Sequence, residues 1–363
     1  MSDPLGDLSR IRRVLLVRPS ALGDVARTVP ALVTIRNALP EATIDWVVQP
    51  AFADVVRHHP AVHEVVPFDR DHLGRMWRSV SAFGAGRQWL RALRDRRYDL
   101  AIDLQGLLRS GLITRFSGAP RRLGFANARE YGWLGCNVRF NVPERMHTVD
   151  RMLRLLELAG FAPSHDMTLY VGQADAQWAA EELRSVCVGD EPFVALAPTA
   201  RWLSKCWPIE RYIELARRLL DTRIAGGHLV VLAGPGERAQ VQPLLDALAD
   251  TGRVHLPATR VGQMAALLAR AGLLVCNDSA ALHIAVGLAR PIAAVFGPTD
   301  PALVGPYRRP DTVIRPDRQQ ANHNDFRRRP NDQSVIAGVT LEQVWAVVEQ
   351  QLDTAHPSTS SRP

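Results

Sequence analysis

Short apolar runs alternate with stretches of helical periodicity along almost the whole of this chain. The run 13-RVLLVR-18 closes on Pro19, and 25-VARTVPALVTIRNALP-40 then places Val25, Val29, Leu32, Ile35 and Leu39 at helical spacing. The order recurs in 43-TIDWVV-48 (strand), 51-AFADVVRHH-59 (helix), 63-HEVVPF-68 (strand) and 86-GRQWLRALRDRRYDLAIDLQG-106 (helix into strand). Strands separated by helices predict parallel sheets covered by helices, an α/β fold class.

The pattern pauses and then restarts. A helix over 145-RMHTVDRMLRLLELAG-160 ends at Gly160, and 162-APSHD-166 follows as a connection. Strands are then expected at 192–198, 228–234, 253–257, 273–277 and 291–297, with helices at 208–220, 236–250, 260–272 and from Ser279 to about Leu288. A chain of 363 residues with 47% hydrophobic and 22% charged residues can bury two cores, so two tandem α/β domains are expected, with a boundary near residues 165–180. The four cysteines stand far apart without a C-x-x-C pair, which suggests neither a zinc site nor a disulfide framework. No signal peptide or membrane-length apolar stretch is present, so a cytoplasmic protein is expected. The polar, Pro/Ser-rich tail 354–363 is expected to be disordered.

A formal charge of +7 calls for an acidic partner, whether nucleic acid, an anionic membrane face or a phosphorylated substrate. The basic residues are scattered and no nucleic-acid module is visible, so nucleic acid is not expected. Lys205 is the single lysine of the chain. Its compact, strongly hydrated ammonium suits buried phosphate oxygens, or it is a chance survivor in an arginine-rich composition. Ser279, preceded by Asn277 and Asp278, opens a helix directly after a strand, where free amides and the macrodipole bind phosphate, and His283 lies one turn along. On these residues alone, Asp278 and Ser279 serve equally as caps and His283 as an interior histidine. Asp24 ends 19-PSALGD-24 after the first strand, where open α/β sheets place ligands, and is either a helix cap or a carboxylate available as a general base.

Motifs spread over nearly the whole chain resemble glycosyltransferase family 9, the bacterial lipopolysaccharide heptosyltransferases, and its heptosyltransferase I branch above all. The matching pieces are 20-SALGDVARTVPAL-32, 98-YDLAIDLQGLLRSGL-112, 124-GFANARE-130, 199-TARWLSKCWP-208, 278-DSAALH-283, 296-FGPTDP-301 and 305-GPY-307. The resemblance implies a GT-B fold, two Rossmann-like domains facing across a cleft. It assigns residues 1–170 to acceptor binding, 171–339 to the nucleotide sugar, and 340–353 to a helix crossing back to the first domain. It implies an inverting, metal-independent enzyme that moves heptose from ADP-heptose to a 3-deoxy-octulosonate (Kdo) sugar on lipid A, held peripherally at the inner membrane and using no cofactor.

Carried residue by residue, the resemblance makes Asp24 the base, with Ser20 and Gly23 beside the acceptor, and puts Lys205 and Thr199 on the donor diphosphate. Glu237 would meet the ribose, although as a residue it reads equally as a solvated acid at a helix start. Thr259, after Pro257, would line the adenine pocket, and Asp278, Ser279, Ala280 and His283 would complete donor binding. Lys205 and the helix amides would supply the positive charge that a metal supplies elsewhere. Ala280 stands where the family commonly has glycine, Ala200 where a second hydroxyl could stand, and 321–340 contains no cysteine that could bind a metal. Arg70, Arg75 and Arg78, around Trp77, are assigned to an acidic sugar or lipid phosphate, or form a solvated face. The alternatives are a family member with another nucleotide-sugar donor or acceptor, an epimerase of the same fold, and a non-catalytic nucleotide-sugar-binding protein.

Overall fold

A computed structural model describes residues 4–69, 80–186, 188–222, 227–317 and 325–355. The chain divides into two compact units, Met1–Tyr170 and Val171–Pro363. Each unit is built on a six-stranded sheet whose strand pairs are all parallel. The α/β, Rossmann-like class expected from the alternation is therefore what forms.

In the first unit the strands are β1 (Arg13–Val17), β2 (Thr43–Val48), β3 (Glu64–Pro67), β4 (Leu100–Asp103), β5 (Arg121–Phe125) and β6 (Val138–Phe140), in the order β3-β2-β1-β4-β5-β6. The central strands are near-continuous apolar runs because helices cover both faces: Val14 to Val17 and Leu100 to Ile102 are all fully buried. β1 pairs with β4 in a register that sets Val17 beside Asp103. Two expectations are corrected here. Residues 51–59 do not form an α-helix: Pro50–Val55 is a short 3₁₀ helix, and the chain leaves it at Val56. The helix Leu108–Phe116 and the strands β5 and β6 were not anticipated.

The helix Leu108–Phe116 is held by backbone contact. A Cβ on Gly111 would lie 2.2 Å from the Gly132 carbonyl oxygen, and one on Gly135 would lie 2.0 Å from the Gly111 oxygen. Gly111→Ala is expected to destabilise the first unit by about 1–3 kcal/mol, the usual cost of overpacking. Urea unfolding monitored by tryptophan fluorescence checks this, and an unchanged midpoint would mean that the two backbones are not in contact.

The second unit repeats the scheme with β7 (Val194–Ala197), β8 (Leu229–Val231), β9 (Val254–His255), β10 (Leu273–Asn277), β11 (Ile292–Val295) and β12 (Val313–Ile314), ordered β12-β11-β10-β7-β8-β9. Its core contains Trp207 edge-on to Tyr212 at 5.3 Å, together with Val194, Val275 and Val295. The last helix, Leu341–Ala355, packs on β10, β11 and the helix Ile209–Asp221, burying Val344, Trp345 and Val348 in this same core. Residues 354 and 355, expected in the tail, complete that helix, and the rest of the tail lies outside the described residues. Cys136, Cys206 and Cys276 are buried free thiols. No helix among the described residues is long and apolar enough to cross a membrane.

Candidate functional site

Strand order determines where each unit can take a ligand. In the second sheet the chain leaves β7 toward β8 and β9 on one side, then returns to lay β10, β11 and β12 on the other. The loops after β7 and β10 diverge, leaving a crevice at the carboxyl edge, the usual ligand position in open α/β sheets. Every donor-site residue expected from the sequence follows one of these strands: Thr199 and Lys205 follow β7, Glu237 follows β8, Thr259 follows β9, and Asp278 to His283 follow β10.

Asn277, the last residue of β10, ties the two diverging loops together. Its side-chain amide donates to the Pro198 carbonyl (2.7 Å), and its Oδ1 accepts from the Trp207 amide (3.0 Å) and the Tyr212 hydroxyl (3.2 Å). The side chain is fully buried, so the loop bearing Lys205 is fixed against the end of β10, next to Asp278. Lys205 Nζ then lies 2.7 Å from Asp278 Oδ2, and the Thr299 hydroxyl donates to the same oxygen at 2.8 Å. The ammonium also sits 4.2 Å from the Phe326 ring centroid, a cation–π contact. With side chains 15% and 8% exposed, Lys205 and Asp278 form a largely desolvated pair opening on the helix Ala280–Gly287.

At that helix start the capping alternative fails for Ser279. It occupies the N-cap position without a side-chain hydrogen bond to the helix, and its buried Oγ has no hydrogen-bond partner among the described residues. The first-turn amides have no partner within the helix. His283 is buried in the next turn, and Ala280, at the first helical position, is half-buried. Glu237 is not a solvated acid: its Oε2 accepts from the Gly234 amide (2.6 Å) and the Thr199 hydroxyl (2.7 Å). Thr199 thus faces Glu237 rather than Lys205. Thr259 is half-buried in the loop between β9 and the helix Val261–Arg270.

The first sheet has its own reversal between β1 and β4. Arg18 ends the run of β1, donates to the Leu104 carbonyl after β4, and approaches Asp24 at 3.3 Å. Arg27 donates to the same Asp24 oxygen. Asp24 is the third residue of the short helix Leu22–Ala26 and not its cap, and its side chain remains 29% exposed, with Ser20 and Gly23 half-buried beside it. Burial raises the Asp24 pKa, but Arg18 and Arg27, with the Arg27 and Ala21 hydrogen bonds, outweigh it and hold the carboxyl well below the usual range. Asp103, across the same reversal, is different. Burial pushes it up to about 6, against lowering by the Gly106 and Gln105 amides, Ser110 and Arg18.

Sequence reasoning missed Arg18, Arg27, Asp103, Asn277, Thr299 and Phe326 as parts of these sites. Asp103 and Thr299 stood inside recognised motifs at strand ends, where their position was the available signal. Phe326 comes from the short helix Asp325–Arg328, far along the chain, and carried none. Arg70, Arg75 and Arg78 lie outside the described residues. The one group of metal-type ligands among the described residues, Asp45, His63 and Glu64, has both its carboxylates engaged by Arg96, which reaches Asp45 at 3.0 Å and Glu64 at 2.7 Å.

The family model for glycosyltransferase family 9 (heptosyltransferase) matches residues 87–332. The chain is 32% identical over 305 residues to lipopolysaccharide heptosyltransferase 1 of Pseudomonas aeruginosa, covering 82% of each chain. It is 30% identical over 310 residues to lipopolysaccharide heptosyltransferase 1 of Escherichia coli K12, covering 85% of this chain and 94% of that one. Among solved structures, the E. coli heptosyltransferase WaaC with ADP-2-deoxy-2-fluoro heptose superposes with a TM-score of 0.70 at 27% identity, over 93% of this chain and 99% of that one.

Proposed function

The chain belongs to glycosyltransferase family 9, and from that premise we propose that it transfers heptose from ADP-heptose to a Kdo sugar of the lipopolysaccharide inner core, with inversion. The donor is the nucleotide sugar whose fluoro analogue is present in the E. coli structure, lipopolysaccharide is the acceptor class named in its heptosyltransferase 1 relatives, and the Kdo sugar is what the family resemblance implies. The observation that carries this reading is the Lys205–Asp278 pair at the open start of the helix Ala280–Gly287. A diphosphate placed there meets an ammonium, backbone amides and the Ser279 hydroxyl together. Asp278 acts through Lys205, holding the ammonium in place, because its own charge would repel phosphate. Thr199 acts through Glu237 in the same way, fixing the carboxylate that receives the ribose hydroxyls.

In the reaction, the acceptor hydroxyl attacks the anomeric carbon as the bond to the diphosphate breaks, Asp24 takes the hydroxyl proton, and ADP leaves with the added negative charge. Lys205 stabilises that charge more in the transition state than in the ground state. An acceptor bearing carboxylates and phosphates on a lipid accords with the positive net charge and with peripheral attachment at the cytoplasmic membrane face.

Two measurements test this reading. In a thermal-shift series with ADP, UDP and GDP, ADP at about 100 times its Kd should stabilise the protein by about 2.7 kcal/mol, with the other two clearly weaker. A larger shift with UDP or GDP would replace the donor. Transfer from ADP-heptose to Kdo-bearing lipid A should survive EDTA, since protein groups meet the diphosphate charge. Loss of activity restored by magnesium would reject the metal-free account.

A further inference from the structure

The helix Leu108–Phe116 buries the wrong residues for a surface helix. Ser110, Gly111, Ile113 and Thr114 face inward, while Leu108, Leu112 and Phe116, at i, i+4 and i+8, are 44%, 47% and 49% exposed. At Gly111 the backbone of Gly132 and Gly135 presses against this helix and leaves no room for a side chain, while Ile113 packs into the core of the first unit. The same approach brings the turn Gly132–Gly135 alongside and adds exposed Leu134 and Tyr131 to the apolar face. Contiguous exposed apolar side chains of this kind mark an interaction surface.

We propose that this face docks the first unit on an anionic lipid bilayer. Charge selects the occupant. Between Gly106 and Phe140 the sequence carries six arginines against one acidic residue, Glu130. Arg109 and Arg115 share the exposed face with the leucines, Arg129 stands exposed just before the adjoining turn, and Arg139, exposed on β6, lies 5.2 Å from the ring centre of Trp133 in that turn. Arginines interleaved with Leu, Phe and Tyr are the composition of an element lying in a membrane interface: the apolar side chains enter the headgroup boundary and the guanidiniums reach phosphates. A second copy of the chain is disfavoured, because a two-fold contact through this face would set arginines against arginines. The face also begins at the carboxyl edge of the first sheet, since Ser110 bonds Asp103 at 2.9 Å and Leu107 precedes it on the same loop. On the proposed function, whose lipid-borne acceptor this inference relies on, docking here brings the membrane to the edge that carries Asp24.

Cosedimentation of the full chain with phosphatidylglycerol/phosphatidylcholine vesicles and with pure phosphatidylcholine vesicles tests the surface. Binding to the anionic vesicles is expected, weakened by salt and about tenfold or more weaker on the zwitterionic ones. Leu112→Ser combined with Phe116→Ser, and separately Arg109→Gln combined with Arg115→Gln, should each reduce anionic binding about tenfold. Far-ultraviolet circular dichroism and the urea midpoint report that each variant remains folded. The proposal falls if the wild type ignores anionic vesicles, if folded variants bind them as well as wild type, or if the wild type is a dimer that the variants make monomeric. Vesicle binding needs no sugar transfer, so an inactive chain that still docked through this face would refute the function and leave the surface standing.

Discussion

Asp24→Ala is expected to lower kcat for heptose transfer by about 10²–10⁴-fold, the span of general-base catalysis, while leaving the ADP thermal shift unchanged. The separation follows from placement: Asp24 lies in the first unit, and the residues assigned to the nucleotide lie in the second. In the proposed reaction Arg18 and Arg27 would tune this base. By holding its carboxyl well below the usual range, they keep it ionised at every pH at which the protein would work. The acid limb of kcat/KM should therefore not fall at the ordinary carboxylate value of about 4. The cost is low basicity. A carboxylate clamped by two guanidiniums takes a proton readily only from a hydroxyl made acidic by bonding to the anomeric carbon, so proton transfer would come late, after the bond to ADP has largely broken. Arg27→Gln relieves part of the clamp and should move the acid limb upward. If Asp24→Ala kept near-full turnover, Asp24 would have no part in the reaction. If Arg27→Gln left the limb in place, the arginines would not set its ionisation.

The strand–helix alternation was readable because parallel central strands, buried on both faces, must be apolar throughout, as in 13-RVLLVR-18 and 273-LLVCN-277. Strands at the margin escape that requirement. β5 and β6 contain Arg121, Arg122 and Arg139 and include partly exposed positions, so neither shows as an apolar run. The helix Leu108–Phe116 was missed for the opposite reason: Leu108, Leu112 and Phe116 face outward, while Ile113 is the one large apolar residue on a packing face otherwise made of serine, glycine and threonine, so the periodicity used to find helices is not there. Site residues were legible where topology alone fixes them, at the ends of β1, β7 and β10. Their partners were not, because Lys205 with Asp278 and Thr199 with Glu237 are joined across 73 and 38 residues by folding and not by spacing. One consequence is that Thr199, which the family resemblance assigned to the diphosphate, and Asp278, which it assigned to donor binding, are engaged with other side chains of the site.

Lys205→Arg, ordinarily called conservative, is expected to damage the enzyme nearly as much as Lys205→Ala, with kcat/KM lowered by about 10²–10³-fold in both, by analogy with the loss of one oxyanion donor. The ammonium has a confined seat, 2.7 Å from Asp278 Oδ2 and 4.2 Å from the centre of the Phe326 ring. A guanidinium is broader and planar, and its fork matches a carboxylate in bidentate fashion. In this seat it would close on both oxygens of Asp278, displacing the Thr299 hydroxyl that one of them now accepts, and turn its donors away from the helix amides where the diphosphate is assigned. Total charge would be kept while its direction was lost. Lysine avoids this because a point charge with three rotatable donors can satisfy Asp278 with one N–H and keep the others for phosphate. Steady-state kinetics of wild type, Lys205→Arg and Lys205→Ala with ADP-heptose and Kdo-bearing lipid A would measure the effect. An arginine variant with most of its kcat/KM would mean that the site requires positive charge without placement, and that the single lysine of this sequence is an accident of composition.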